Sequence, residues 1–427
     1  MSGTESFRVW TGDSTFLNDP DEWHTSFIMP SQNVNITANF HSIIFTPNLE
    51  FIMGVDTLKK VYSIIPPSHK GVVFLFHGTN SSAAGWTLFN ENIQLIKTLI
   101  ADTFAVIITE AEEVTYNIDL NGDGAQQWSI NPSDPDFGNI AAIRDTFINR
   151  GSISASDQFH ALGMSNGGTF ATHCAAQLGF ESIVAYCSLG MPSLMTTITI
   201  PIIWCMAQHD GNPNVGPAGN ATALLYHDSL EQRGVCTDYH LKYAEPLYPE
   251  RFKRINGVSA SLSTQLFNEL LANGWLDGDN KLINYPDYIV TQINANISSY
   301  PVYNSLGNLQ KVEYANELNA TFAEHQIYND FNAKIIAFLN DPCTNSTVGV
   351  SENTMSNSAI SLSVFPNPAQ DVISFSEPQK ILGIYSMDGA LIRNMNEESG
   401  TISIETLQSG VYFIKTEKGV ARFVKIE

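Results

Sequence analysis

Positive charge is scarce in this chain: 21 Lys and Arg stand against 43 Asp and Glu, a net −22 over 427 residues. A surface that acidic repels phosphate backbones and anionic headgroups, which excludes nucleic acid and anionic membrane as partners. Charge of either sign is thin at 15%, against a usual ~25%, so Asn, Ser and Thr supply much of the polar surface. The five cysteines include no CxxC pair, which excludes a disulfide framework and a zinc pattern. No apolar run reaches the ~18 residues of a membrane-spanning helix. The first residues, Met1-Ser-Gly-Thr-Glu-Ser-Phe-Arg, lack the basic region and apolar stretch of a secretory leader. What is there is globular: 43% hydrophobic and 11% aromatic residues, in a length that suggests two to four domains at ~100–200 residues each.

The two ends differ in texture from the middle. Residues 7–40 read as two or three short strands, FRVWTGD, TSFIMP and the alternating VNITANF. Trp10-Thr-Gly-Asp13, Phe27-Ile-Met-Pro30 and Val34–Phe40 resemble the tail end of an internalin-type bacterial B-repeat, which implies a β extension over 1–45 and a natural protein that begins further upstream. Residues 344–360 have a linker composition, rich in Ser, Asn and Thr. Beyond them, short strand-like runs alternate with turn signals, Met387-Asp-Gly-Ala reading as a hairpin turn. Phe365-Pro-Asn-Pro368, Ile384-Tyr-Ser-Met-Asp-Gly389, Leu407–Phe413 and Arg422-Phe-Val-Lys425 resemble a type IX secretion sorting domain. That resemblance implies a small all-β sandwich over 361–427, secretion machinery as a partner, and a secreted or cell-surface protein. Export in turn permits a disulfide between Cys236 and Cys343, whereas Cys174, Cys187 and Cys205 fall in core elements.

Over 46–343 apolar strands such as VVFLF and AVIIT alternate with helical stretches, the signature of an α/β fold with a mostly parallel, doubly wound sheet. One strand runs into Gly163-Met-Ser165-Asn-Gly167 and a small-residue helix follows at once. That spacing holds a serine on a strained turn, with its hydroxyl at a helix N-terminus and glycines clearing the way for neighbouring backbone. A second strand ends in His77-Gly78-Thr79, so that the backbone N–H groups of Thr79 and Asn166 are the candidate oxyanion donors, with His77 structural. The acid expected past a later strand is Asp210, ahead of Asp228 and Asp238. The base is His325, in the loop before the last helix, ahead of His227 and His240. The order Ser165, Asp210, His325 is that of α/β-hydrolases.

Pro132–Gly168, with the His77-Gly78 strand, resembles the secreted esterases of the polyhydroxybutyrate depolymerase and feruloyl esterase group, over roughly residues 58–340. The resemblance implies an ester hydrolase that works through an acyl-enzyme, on polyester, polyhydroxyalkanoate or plant-wall esters, with no cofactor and no metal. Acid and base lie 115 residues apart, and the excess at about 246–309 reads as a helical lid. Trp86, Trp128 and Trp275 could line an aromatic cleft or simply pack. Asp119, Asn121 and Asp123 sit like the start of a calcium loop, but Ile130 takes the place of its closing Glu, which favours a plain turn. Two other functions fit less well: a serine peptidase of the same fold, and a non-catalytic surface adhesin.

Overall fold

The computed structural model describes residues 5–343, 364–386, 391–417 and 420–426. The expected linker at 344–360 and the Met387-Asp-Gly-Ala turn lie outside the described residues. The N-terminal segment pairs β1 (Glu5–Gly12) antiparallel with β2 (Ile36–Ser42), Trp10 opposite Ala38. Gly12 closes this ribbon at φ +92°, where a Cβ would meet the Asn35 carbonyl oxygen at 2.2 Å. The TSFIMP stretch forms no strand, only a bridge from Phe27 to Leu17.

A single sheet organises the next three hundred residues. In chain order its parts are β3 (Asn48–Met53), β4 (Leu58–Ile64), β5 (Gly71–Phe76), α1 (Asn90–Ala101), β6 (Phe104–Ile108), α2 (Glu112–Tyr116), α3 (Pro135–Asn149), β7 (Phe159–Met164), α4 (Asn166–Leu178), β8 (Ser182–Tyr186), β9 (Ile202–Ala207), α5 (Gly216–Gln232) and β10 (Thr237–Lys242). The strand order is β10-β9-β8-β7-β5-β6-β4-β3. The six strands from β10 to β6 are mutually parallel, and β4 alone opposes its neighbours on both sides. Parallel strands are covered on both faces, which is why β5 reads GVVFLF without a polar residue. Its Val72, Phe74 and Phe76 pack under α3, α4 and α5, while Val73 and Leu75 pack under α1 and the last helix.

After β10 the chain leaves the sheet as α6 (Ala260–Ala272), α7 (Pro286–Ala295), α8 (Pro301–Asn304) and α9 (Asn308–Phe322), and returns as α10 (Asn332–Asn340). This helical insertion has its own apolar core, including Phe252, Leu266, Ile289, Tyr314 and Leu318, and α9 carries it past the 309 expected from sequence. Ser259 caps α6, accepting the Leu262 N–H at 3.1 Å. A disulfide joins Cys236, just before β10, to Cys343, just after α10, with Cα atoms 5.0 Å apart. The C-terminal module is a five-stranded antiparallel sheet: β11 (Val364–Phe365), β12 (Val372–Ser386), β13 (Leu391–Ser403), β14 (Gly410–Thr416) and β15 (Val420–Lys425). Ile373, Ile381, Ile384, Ile414 and Phe423 fill its core.

Candidate active site

Ser165 stands between β7 and α4 at φ 56° and ψ −122°, a conformation that costs a non-glycine residue on the order of 1–3 kcal/mol. The surroundings impose it. Ser165 N–H donates to the Tyr186 carbonyl at 2.8 Å. A Cβ on Gly163 would lie 2.0 Å from the Gly167 oxygen, and one on Gly167 2.3 Å from the Phe76 oxygen, so both turn positions must be glycine.

The strand beside the elbow, β5, delivers His77, Gly78 and Thr79. His77 is 2% exposed, and its ring bonds the Gly78 oxygen through Nδ1 at 2.8 Å and the Ala111 N–H through Nε2 at 3.1 Å. Burial pushes its pKa down to about 4, so it is a neutral buttress with both nitrogens engaged. Asn166, the first residue of α4, grips the Trp128 backbone with its amide: Trp128 N–H donates to Oδ1 at 2.8 Å, and Nδ2 donates to the Trp128 oxygen at 3.3 Å. Among the described residues, neither the Thr79 nor the Asn166 backbone N–H is taken up by an acceptor.

Asp210 follows β9 and is 2% exposed. His325 Nδ1–H donates to its Oδ2 at 2.7 Å, and Asn212 N–H donates to its Oδ1 at 2.9 Å. With Nδ1 protonated, His325 Nε2 is the acceptor, and Asn212 Nδ2 donates to it at 3.3 Å. Ser165 and His325 line one cavity of about 340 Å³ with no hydrogen bond between them. The other candidates are engaged elsewhere. Asp238 bonds His240 at 2.9 Å, and Asp228 bonds His227 at 3.0 Å and pairs with Arg422.

The three tryptophans separate. Trp86 lines the cavity with Phe89, Met164 and Ile327. Trp128 does not: it is 1% exposed, stacked on Phe170 with centroids 4.5 Å apart, and donates through Nε1 to the His77 oxygen at 3.0 Å. Trp275 belongs to the insertion's own core and donates to Tyr300 Oη at 2.8 Å. The far wall, from α1 and α9, is polar: Asn90, Asn92, Glu313, Asn316 and Asn319. Glu91 and Glu317 are held there by buried arginines, Arg254 Nη1 reaching Glu91 at 2.6 Å and Arg251 Nε reaching Glu317 at 2.6 Å. Among the described residues no ion pair holds Glu313, and burial beside Glu317 pushes its carboxyl up to about 7. None of this wall was legible in the sequence, nor was Asn212. The one available signal was its place two residues after the acid. Asp119 accepts N–H bonds from Gly122 at 2.6 Å and Gly124 at 2.7 Å, so that carboxylate is satisfied as in a simple turn.

Strand order, the reversed β4 and the serine elbow together define an α/β-hydrolase fold. Family models match the two ends: a secretion system C-terminal sorting domain at residues 363–426 and a divergent InlB B-repeat domain at residues 5–44. The sorting domain addresses the chain to the cell surface or beyond, and no helix among the described residues is long and apolar enough to cross a membrane. No curated protein matches the chain. Among solved structures it is similar to a ferulic acid esterase, at 10% identity over 46% of this chain and 89% of that one, with a TM-score of 0.37. It is similar to a dienelactone hydrolase from Anabaena variabilis, at 15% identity over 53% and 97%, TM-score 0.34. It is also similar to the acylaminoacyl peptidase of Pyrococcus horikoshii, at 10% identity over 49% of this chain and only 41% of that protein's length, TM-score 0.35. Such scores say nothing of chemistry, and the class rests on topology and elbow.

Proposed function

We propose that the protein is an exported serine carboxylic-ester hydrolase working through an acyl-enzyme, with Ser165 as nucleophile, His325 as base and Asp210 as its orienting acid. The observation that carries this is the His325–Asp210 bond of 2.7 Å opening on the same cavity as the strained Ser165. Ser165 Oγ attacks the acyl carbon while His325 Nε2, exchanging Asn212 for the hydroxyl, takes its proton. The oxyanion then accepts from the unused Thr79 and Asn166 N–H groups, each donor contributing roughly 3 kcal/mol in the transition state. His325 returns the proton to the leaving alkoxide, and water repeats the sequence to free the acid. Asp210 holds the tautomer and stabilises the imidazolium.

Polymeric esters are the wider substrate class we favour, and the polar α1/α9 wall suits an ester with hydrogen-bonding groups near the scissile bond. The test is p-nitrophenyl ester hydrolysis across acyl lengths, with p-nitroanilides alongside, followed by polyester films. Ser165→Ala should lower kcat by about 10⁴-fold or more. Activity that survives this substitution, or turnover of anilides alone, overturns the assignment.

A further inference from the structure

The acid and the base sit on two loops that meet edge to edge, residues 209–212 after β9 and residues 322–325 after α9. Four hydrogen bonds join them apart from the Asp210–His325 pair. His209 N–H donates to the Ala323 oxygen at 2.9 Å, and the His209 ring bonds the Phe322 oxygen through Nδ1 at 2.9 Å. Asn212 Nδ2 reaches His325 Nε2 at 3.3 Å. The fourth comes from Glu324, a residue outside the cavity lining: Gly211 N–H donates to its Oε1 at 2.5 Å. The same oxygen accepts the His325 N–H at 2.8 Å.

Two features aim that carboxylate. Ala323 takes φ 61°, a left-handed turn that ends α9 and swings the next side chain toward the acid loop. Gly211 then lets it lie flat on the backbone, since a Cβ there would sit 3.0 Å from one Glu324 oxygen and 3.1 Å from the other. One oxygen atom thus fastens the residue after Asp210 to His325 itself.

We infer that Glu324 is a positioning residue, which brackets the acid loop to the base loop and sets the distance at which Asp210 holds His325. This rests on the hydrolase reading above. Burial raises the Glu324 carboxyl above the ordinary carboxylate value, against the Gly211 and His325 N–H donors, and the Asp210 carboxylate adds to the rise.

The experiment is steady-state ester hydrolysis by the full chain from pH 5 to 9, for the parent, Glu324→Ala, Glu324→Gln and Ser165→Ala. Loss of the bracket in Glu324→Ala should lower kcat by about tenfold or more with KM within about twofold, since small misplacements of a base cost that much. Glu324→Gln keeps an oxygen for the two N–H donors, so kcat should recover in part. Its KM should stay within about twofold of the parent, because Glu324 lies outside the cavity lining. If Glu324→Ala fails to fold, the kcat of Glu324→Gln, expected about two- to tenfold below the parent, decides alone. With Ser165→Ala inactive, kcat of a folded Glu324→Ala within twofold of the parent, or, where that variant does not fold, a parental kcat in Glu324→Gln, overturns the bracket and leaves the hydrolase standing. Activity in Ser165→Ala overturns both.

Discussion

The two ends of the chain each match a module family, yet they are attached to the hydrolase domain by different physics. The N-terminal segment is sewn in by charge. Lys334 of α10 binds Asp19 at 3.1 Å and Glu22 at 2.7 Å, Trp23 lies over the guanidinium groups of Arg254 at 4.5 Å and Arg251 at 5.3 Å, and His24 pairs with Glu245. Those arginines are the ones that hold Glu91 and Glu317 in the cavity wall. The C-terminal module touches the domain through a small apolar patch, Ala221 and Leu224 of α5 against Val411 and Val424, with Arg422 on Asp228. A family match therefore does not tell how independent a segment is. The repeat-like end braces the arginines behind the wall of the candidate active site, whereas the sorting end is docked as a tag.

The largest expected effect separates the two attachments directly. Trp23→Ala should destabilise the hydrolase domain by about 2–4 kcal/mol, through lost aromatic burial and two lost cation–π contacts. Removing residues 361–427 should change its melting temperature by no more than a few degrees. Differential scanning calorimetry reads both. Equal losses from the two changes would erase the distinction.

Next is the Cys236–Cys343 disulfide, which spans 107 residues and closes the hydrolase domain before the chain passes to the sorting module. Replacing both cysteines by serine should cost a comparable or smaller amount, about 2–4 kcal/mol, seen in denaturant titrations with and without reductant. The loss should appear in the hydrolase transition alone. If the C-terminal module's unfolding shifts in step, the two are more tightly coupled than their small interface implies.

The smallest effect is set by pH. Burial depresses His24, His77 and His160 to about 4, below the ordinary value of about 6.5. The unfolded chain therefore binds more protons in that window, and stability falls as pH drops from about 6.5 toward 4. Asp136, raised by burial to about 6, and Glu313, raised to about 7, work the other way and offset part of it. The net loss should be about 1–3 kcal/mol between pH 7 and 5, measurable by urea titration. The sorting module contains no histidine, so its transition should hardly move, and an equal acid loss there would contradict this origin.

Local geometry was legible in the sequence, and long-range partnership was not. The elbow could be read because Gly163, Ser165 and Gly167 state within five residues what their backbone must do. Asp210 and His325 could be found by their places after an apolar strand and before a terminal helix, and the structure brings the two together. Trp128 and Trp275 could not be placed, because their fates were fixed by Phe170 and Tyr300, which no local pattern announces. The way the N-terminal segment docks was hidden for the same reason: the lysine that holds Asp19 and Glu22 lies more than 300 residues away. Glu324 sat beside a candidate base in plain view, but its role depends on Gly211 across the loop.

The central claim, that Ser165 is an activated nucleophile driven by His325, is tested most directly by covalent labelling. The full chain is treated with an alkyl fluorophosphonate and analysed by intact mass and peptide mapping. The account predicts one phosphonyl group on Ser165, absent in Ser165→Ala and formed at least a hundredfold more slowly in His325→Ala. A label on another residue, or no label on a folded and disulfide-intact chain, would contradict it.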